Sequence, residues 1–286
     1  MNITKYIVLA CGLLLMLWGC TPAKQTSSLK ESLTFYASFD GGTDADYALG
    51  DAKMYTAPSR KALDSAQAGL HNADHKLLEG QGQKGDAFQF GKKSQQVIYY
   101  KSKDNINYNG QSWSGTISFW LSLDPATDLE PGYTDPIQIT DINYNDASIW
   151  VDFTNENPRD FRLGVIGDLA VWSLDTLKTS NEEEFERRLV RVKNPPFSKG
   201  TWTHIAITCS ALGTEVSSAT LYLNGQSMGS VEGIPDPFTW DLDQSNIYLG
   251  LNFIGLMDEL SIYSKPLSKE EVKELYELDG GVSSIL

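Results

Sequence analysis

The chain predicts an all-β sandwich of two antiparallel sheets, closed by one short C-terminal helix. Three observations carry this. Strand-like runs recur from Leu33 to Tyr263 with no linker-like break and no internal repeat. Thr116 to Leu123 (TISFWLSL) sets Ile117, Phe119, Leu121 and Leu123 on one face and Thr116, Ser118, Trp120 and Ser122 on the other, so one face is core. The chain ends in two strands, Ile247 to Leu251 and Gly255 to Tyr263, and an amphipathic segment after Pro266.

The N-terminus sets the compartment. MNITKYIVLACGLLLMLWGC has an early Lys5, then an apolar run from Tyr6 to Trp18 too short to span a bilayer comfortably, then Gly19-Cys20. This reads as a secretion signal over residues 1–19. Leu17-Trp18-Gly19-Cys20 resembles a bacterial lipobox, which implies cleavage before Cys20 and acylation of its thiol. Thr21 to Lys30 is rich in Ser and Thr with no apolar period, so residues 20–32 are expected to form a lipidated flexible tether. Thr21, in place of Asp after the lipidated Cys, resembles lipoproteins directed to the outer membrane. The expected location is therefore the cell envelope, held by lipid.

About 250 residues remain, which suits one sandwich over residues 33–286. Lys and Arg number 23 against 37 Asp and Glu, a formal charge of −14, which argues against nucleic acid or an anionic bilayer as partner. Of three cysteines, Cys11 lies in the signal and Cys20 carries lipid, leaving Cys209 alone. No internal disulfide is then possible, and the core must supply the stability.

In chain order, Leu33 to Phe39 alternates as a first strand and ends at Asp40-Gly41-Gly42, making Asp40 a candidate ligand. The pattern weakens from Thr43 to Gln83. Gly82 to Phe90 and Gln96 to Tyr100 read as strands, and PIQITDI and ASIWVDFT follow the turn-rich Asp128 to Pro136. VDFTNENPRDFRLGV reads as a hairpin; pairing Phe153 with Phe161 sets Asp152 opposite Arg162 and Trp150 opposite Gly164. Leu169 to Leu174, with Trp172, reads as a short strand. Ser180 to Arg188 (SNEEEFERR) reads as a surface helical turn whose glutamates form a solvated face. Arg188 to Val192, Trp202 to Cys209 and Thr220 to Leu223 are further strands, the last turning at Asn224-Gly225. Ser268 and Glu271 have capping-box spacing, with Leu267 and Val272 placed as a hydrophobic staple.

The closing segment NIYLGLNFIGLMDELSIYSKPLSKEEVKELYEL, with WTHIAIT and LYLNG, looks like the laminin-G-like, concanavalin A-like jelly roll over most of the chain after Leu33. The resemblance implies a structural Ca²⁺ shared by Asp40, ending the first strand, and Asp258, in the closing strand. It also implies structural roles for Trp120, Trp202 and His204, at positions where the family commonly has the same residue types. The fold serves many functions and leaves the ligand open.

Laminarinase-type hydrolases of this fold set two carboxylates about 5 Å apart, on one strand in the order Glu, any residue, Asp, any two residues, Glu. That motif is missing: Asp258 and Glu259 are adjacent, so alternation sends them to opposite faces, and WVDFT offers one acid. His71 and His75 suit a metal only if their loop is helical. No nucleophile elbow, phosphate loop or dinucleotide fingerprint appears. The expectation is thus a non-catalytic module that binds glycan, with Trp150, Asp152, Arg162, Trp172 and Trp120 as ligand residues. By alternation Trp120, Trp150, Asp152 and Arg162 point away from the core face of one sheet, where rings stack on sugars and charged groups take hydroxyls. The competing expectation is that these rings pack under loops as a second small core. A polysaccharide hydrolase or lyase, or a protein-binding envelope scaffold, are the alternative functions.

Overall fold

The computed structural model describes residues 23–110, 112–173 and 180–286. The signal, the lipobox and Cys20 lie outside them. Two antiparallel sheets enclose one core. The first runs Gln226–Glu232, Ser218–Leu223, Thr203–Leu212, Trp113–Ser122, Gly255–Tyr263, Leu33–Ala37, Tyr47–Ala48; Ala87–Phe90 also pairs with Gly255–Tyr263 and carries His75–Leu78 on its other side. The second runs Leu189–Val192, Phe161–Ile166, Ser148–Phe153, Thr134–Thr140, Asn246–Leu251, Val97–Lys101, Tyr55–Ala57, Gln67–Ala68. This is the two-sheet sandwich the strand pattern predicts and the jelly roll the resemblance implies.

Alternation builds the core from both inner faces. Ile117, Phe119 and Leu121 of the first sheet meet Ile137, Ile139, Val151, Phe153, Ile247 and Leu249 of the second. Cys209 is buried there, and burial raises its thiol, so it is an inert apolar filler.

One extra residue corrects the closing strand. Against Trp113–Ser122 the register advances from Asp258 opposite Trp120 to Ser261 opposite Ser118, a bulge at which Glu259 takes a φ of 53°. Met257 and Leu260 both enter the core, so Asp258 and Glu259 both turn away from it instead of dividing between faces.

The outer face of the first sheet is covered by helices. The closing helix, Lys269–Tyr276, has its capping box: Ser268 Oγ accepts from Glu271 N–H, and Glu271 Oε2 accepts from Ser268 N–H at 2.8 Å. Val272, Leu275 and Leu267 pack with Tyr36, Tyr222 and Tyr263 of the sheet. The segment expected as tether is helical over Ala23–Ser32 and joins this layer. Leu29 is fully buried against it, worth about 1.5 to 3 kcal/mol, and Ser28 Oγ donates to Glu271 Oε1 at 2.8 Å. Its polar composition hid the buried anchor Leu29. Among the described residues no helix is long and apolar enough to cross a membrane.

Candidate functional site

The hairpin Ser148–Phe153/Phe161–Ile166 has the predicted register, with Trp150 opposite Gly164 and Asp152 opposite Arg162. Ile149, Val151 and Phe153 face the core, which sends Trp150 and Asp152 to the outer face of the second sheet. There Arg162 clasps Asp152 through Nε to Oδ1 (2.9 Å) and Nη2 to Oδ2 (2.5 Å), both side chains buried. Despite desolvation, these bonds and the carboxylate charge keep the guanidinium protonated. Burial raises the Asp152 carboxyl and the two bonds from Arg162 oppose it; the forked geometry is that of an ionised pair.

The neighbouring strand Thr134–Thr140 adds Gln138, opposite Trp150, and the half-buried Asp135. Gln138 Nε2 donates to Asp135 Oδ2 at 3.2 Å. Burial, and then the charge of Asp152, push the Asp135 carboxyl well above the usual carboxylate range, against the opposing charges of Arg60 and Arg162. Arg60 reaches in from a loop: Nη1 donates to Gln138 Oε1 at 2.5 Å and Nη2 to the Ile142 carbonyl at 3.1 Å, with the guanidinium 4.6 Å from the Tyr248 ring centroid.

Trp150, Asp152, Arg162, Gln138 and Asp135 floor a cleft of about 740 Å³. One wall is aromatic: Tyr133 (50% exposed), Tyr144 (49% exposed) and Phe185, from the helix Ser180–Glu186. The other carries Arg60 and Lys61 with Ser59, Ser94, Gln95 and Asn252. The Arg162 guanidinium lies 4.9 Å from the Tyr133 ring, tying floor to wall. Tyr133, Tyr144, Phe185 and Arg60 escaped sequence reasoning because loops and a short helix supply them, where no period marks orientation.

The predicted ligand residues fare unequally. Trp150, Asp152 and Arg162 all line the cleft. Trp150 is not an open platform: it is 2% exposed, lies on the Gly164 backbone where a Cβ would collide with its indole, stacks under Phe185 and donates Nε1–H to the Tyr144 carbonyl at 2.7 Å. It anchors a second small core with Ile166 and Trp172, the covered arrangement that competed with an open ring. Trp172 sits on a short helix, Leu169–Trp172, not a strand; Asp168 caps it by accepting from Ala170 N–H. Trp120 belongs to the other sheet, packed between His204 (4.9 Å) and Tyr276 of the closing helix (5.6 Å). Alternation assigns a face but not a sheet. His204 bonds Ser118 Oγ through Nε2 at 2.8 Å, and burial lowers it to about 3, so it stays neutral in the structural position the resemblance implies.

The two acids implied for calcium meet at one loop. Asp40 accepts from Asp86 N–H at 2.6 Å; Asp258 Oδ2 accepts from Lys84 N–H at 2.9 Å and Oδ1 from Glu259 N–H at 2.7 Å. A Cβ at Gly82 would collide with the Lys84 and Asp86 carbonyls and the Asp258 carboxylate, so these oxygens converge. Burial, with the charges of Glu259 and Asp40, raises Asp258 to about 8, and no basic side chain among the described residues is within ion-pair distance of it. Among the described residues no three His, Cys, Asp or Glu side chains group as a metal set, so a cation here would draw on backbone carbonyls as well. Hard oxygens around a buried, uncompensated carboxylate fit Ca²⁺ in donor type. His71 and His75 do not form a site: a turn, not a helix, separates them, with His75 N–H donating to the Asn72 carbonyl at 3.3 Å; His71 Nε2 meets the Ala68 carbonyl at 2.9 Å, and His75 opens the strand His75–Leu78 and packs against Phe88 and Phe90.

The fold has solved counterparts. Domain 4 of AbnA, a GH43 extracellular arabinanase from Geobacillus stearothermophilus solved with arabinotriose, matches at TM-score 0.52 and 18% identity, covering 86% of this chain and 98% of that one. The botulinum neurotoxin serotype D ligand binding domain solved with N-acetylneuraminic acid matches at TM-score 0.57 and 12% identity over 89% of this chain and 53% of that one. A botulinum neurotoxin type C structure, described as entering cells through two ganglioside molecules, matches at TM-score 0.58 and 13% identity, over 91% and 53%. The chain thus spans about half the length of the toxin chains. No curated protein matches in sequence. A family model described as the concanavalin A-like lectin/glucanases superfamily (Laminin_G_3) matches residues 92–273, which is most of both sheets and the closing helix. The chain belongs to that superfamily.

Proposed function

We propose that the protein is a non-catalytic glycan-binding module, held in the cell envelope by lipid on Cys20, and that the cleft over the second sheet is its sugar site. The observation that carries this is the cleft itself: about 740 Å³, rimmed on one side by the half-exposed rings of Tyr133 and Tyr144, floored by hydrogen-bonding groups of Gln138 and Asp135, and lined by Arg60 on the other side. Rings that stack on the apolar face of a sugar, with polar groups converging beside them, are what carbohydrate sites require. The AbnA domain, matched over nearly its whole length and solved with arabinotriose, supports a sugar more directly than the toxins, of which half is matched. Asp40 and Asp258, with the carbonyls of the Gly82–Asp86 turn, would hold a structural Ca²⁺ joining the first strand to the last. A glycan array probed with the purified protein tests the sugar reading; the expected result is binding that Tyr133→Ala and Tyr144→Ala each weaken.

One observation favours a second reading, a polysaccharide-active enzyme. Asp135 and Asp152 lie in the same cleft with carboxyls raised by burial, a combination suited to acid–base work. Asp152 is nevertheless committed to Arg162 through both oxygens, which removes it as a free base or nucleophile. Release of reducing ends or unsaturated products from bound polysaccharide, lost in Asp135→Asn, would decide for the enzyme.

A further inference from the structure

The cleft is electrically lopsided. Of its acids, Asp152 is neutralised by Arg162 and Glu186 is held by Arg191 at 3.0 Å. Asp135 is engaged by the Gln138 amide, and burial shifts its carboxyl toward the neutral form. Glu182 remains, exposed on the helix that supplies the aromatic wall. Arg60 and the exposed Lys61 stand on the opposite wall, and no carboxylate among the described residues lies within ion-pair distance of either. Arg60 is also fixed in place. The Gln138 amide, the Ile142 carbonyl and the Tyr248 ring hold its guanidinium from three sides and leave part of its fork of donors to the cleft.

We infer that the cleft selects an acidic glycan, one whose sugar carries a carboxylate, with Arg60 as the residue that receives the carboxylate and Lys61 beside it. The inference rests on the glycan-binding reading of the same cleft. An anchored guanidinium with no carboxylate within ion-pair distance is an anion receptor whose ordering is complete before the ligand arrives, and carboxylate is the group its planar fork matches best. The two walls then divide the work. A sugar ring lies against Tyr133 or Tyr144 while its carboxylate points across to Arg60 and Lys61, and Glu182 repels the reverse orientation. A neutral sugar would stack equally well but would leave the cationic wall solvated.

The experiment uses the full chain and a panel of galacturonate, glucuronate, mannuronate and guluronate oligosaccharides, each paired with its carboxyl-reduced neutral counterpart, by titration calorimetry. The expected result is that at least one acidic oligosaccharide binds about tenfold or more tightly than its reduced counterpart, that the preference shrinks as salt is raised, and that Arg60→Gln removes it whereas Arg60→Lys retains part of it. Equal or tighter binding of the neutral counterparts, by the wild-type protein alone, overturns the acidic preference and leaves the glycan reading standing. A preference that survives in a folded Arg60→Gln protein overturns the role of Arg60. Absence of binding to every acidic and neutral oligosaccharide overturns the inference together with the reading beneath it.

Discussion

Trp150→Ala separates packing from ligand contact. The indole is 2% exposed, lies on Gly164, stacks beneath Phe185 at a centroid distance of 6.2 Å and donates its N–H to the Tyr144 carbonyl. Truncation leaves a cavity between a sheet and a short helix and strands that carbonyl. Large-to-small changes of this kind destabilise by about 3 to 5 kcal/mol. For a domain of this size each kcal/mol lowers the midpoint by roughly 2 to 4 °C, so the expected fall is roughly 6 to 20 °C. Gly164→Ala probes the same contact from below, because the new Cβ meets the indole. Urea unfolding of both single variants and the double variant supplies the coupling: Gly164→Ala is expected to destabilise the wild type and to have little effect once Trp150 is Ala. A Trp150→Ala protein within about 1 kcal/mol of wild type, or additive effects of the two substitutions, would refute the packing argument.

Tyr133→Ala and Tyr144→Ala, with half-exposed rings, should each change stability by less than about 1 kcal/mol while lowering glycan affinity by about tenfold, read by denaturation and calorimetry on the same preparations. In calcium-free buffer, Asp258 should make the protein less stable as pH rises. Its folded value of about 8 exceeds the unfolded value of about 3.9, so the native state binds the extra proton between them and stability falls across that window. Millimolar Ca²⁺ should raise the midpoint and flatten the slope, and Asp258→Asn should abolish both responses; identical melting in calcium and chelator would exclude the ion. Cys20→Ser should move the protein from the membrane fraction to the soluble fraction on cell lysis, and unchanged partitioning would remove the lipid anchor.

Much of the fold was legible because strand alternation is a strict signal. Phe153 opposite Phe161 places every other pair of the hairpin, so one correct register brought Trp150, Asp152 and Arg162 to one face. Legibility failed where geometry is not periodic. The bulge at Glu259 breaks the count by one residue and turns both acids outward, which adjacency alone does not reveal. Leu169 to Trp172 carries an apolar run that reads as strand, yet Asp168 ahead of it is a helix-capping residue and decides the outcome. Ala23–Ser32 is polar enough to read as tether; its helix is held by tertiary contact through Leu29 and Ser28, which no local pattern encodes. The cleft walls come from residues far apart in sequence, so Arg60, Tyr133, Tyr144 and Phe185 become neighbours only when the second sheet is assembled.

The N-terminal helix alters where the protein can be cut and tagged. A truncation beginning at Leu33 would discard Leu29 and uncover Val272, Leu275, Val282 and Ile285, an apolar patch prone to self-association. A version that begins ahead of Ala23 keeps that patch sealed. The same layer gathers both ends of the described chain, since Lys30 Nζ donates to the Leu286 carbonyl, on the face of the sandwich opposite the cleft. A fluorophore, an affinity handle or a surface coupling at either end would leave Tyr133 and Tyr144 facing open solvent, so immobilised protein presents its cleft to whatever flows past.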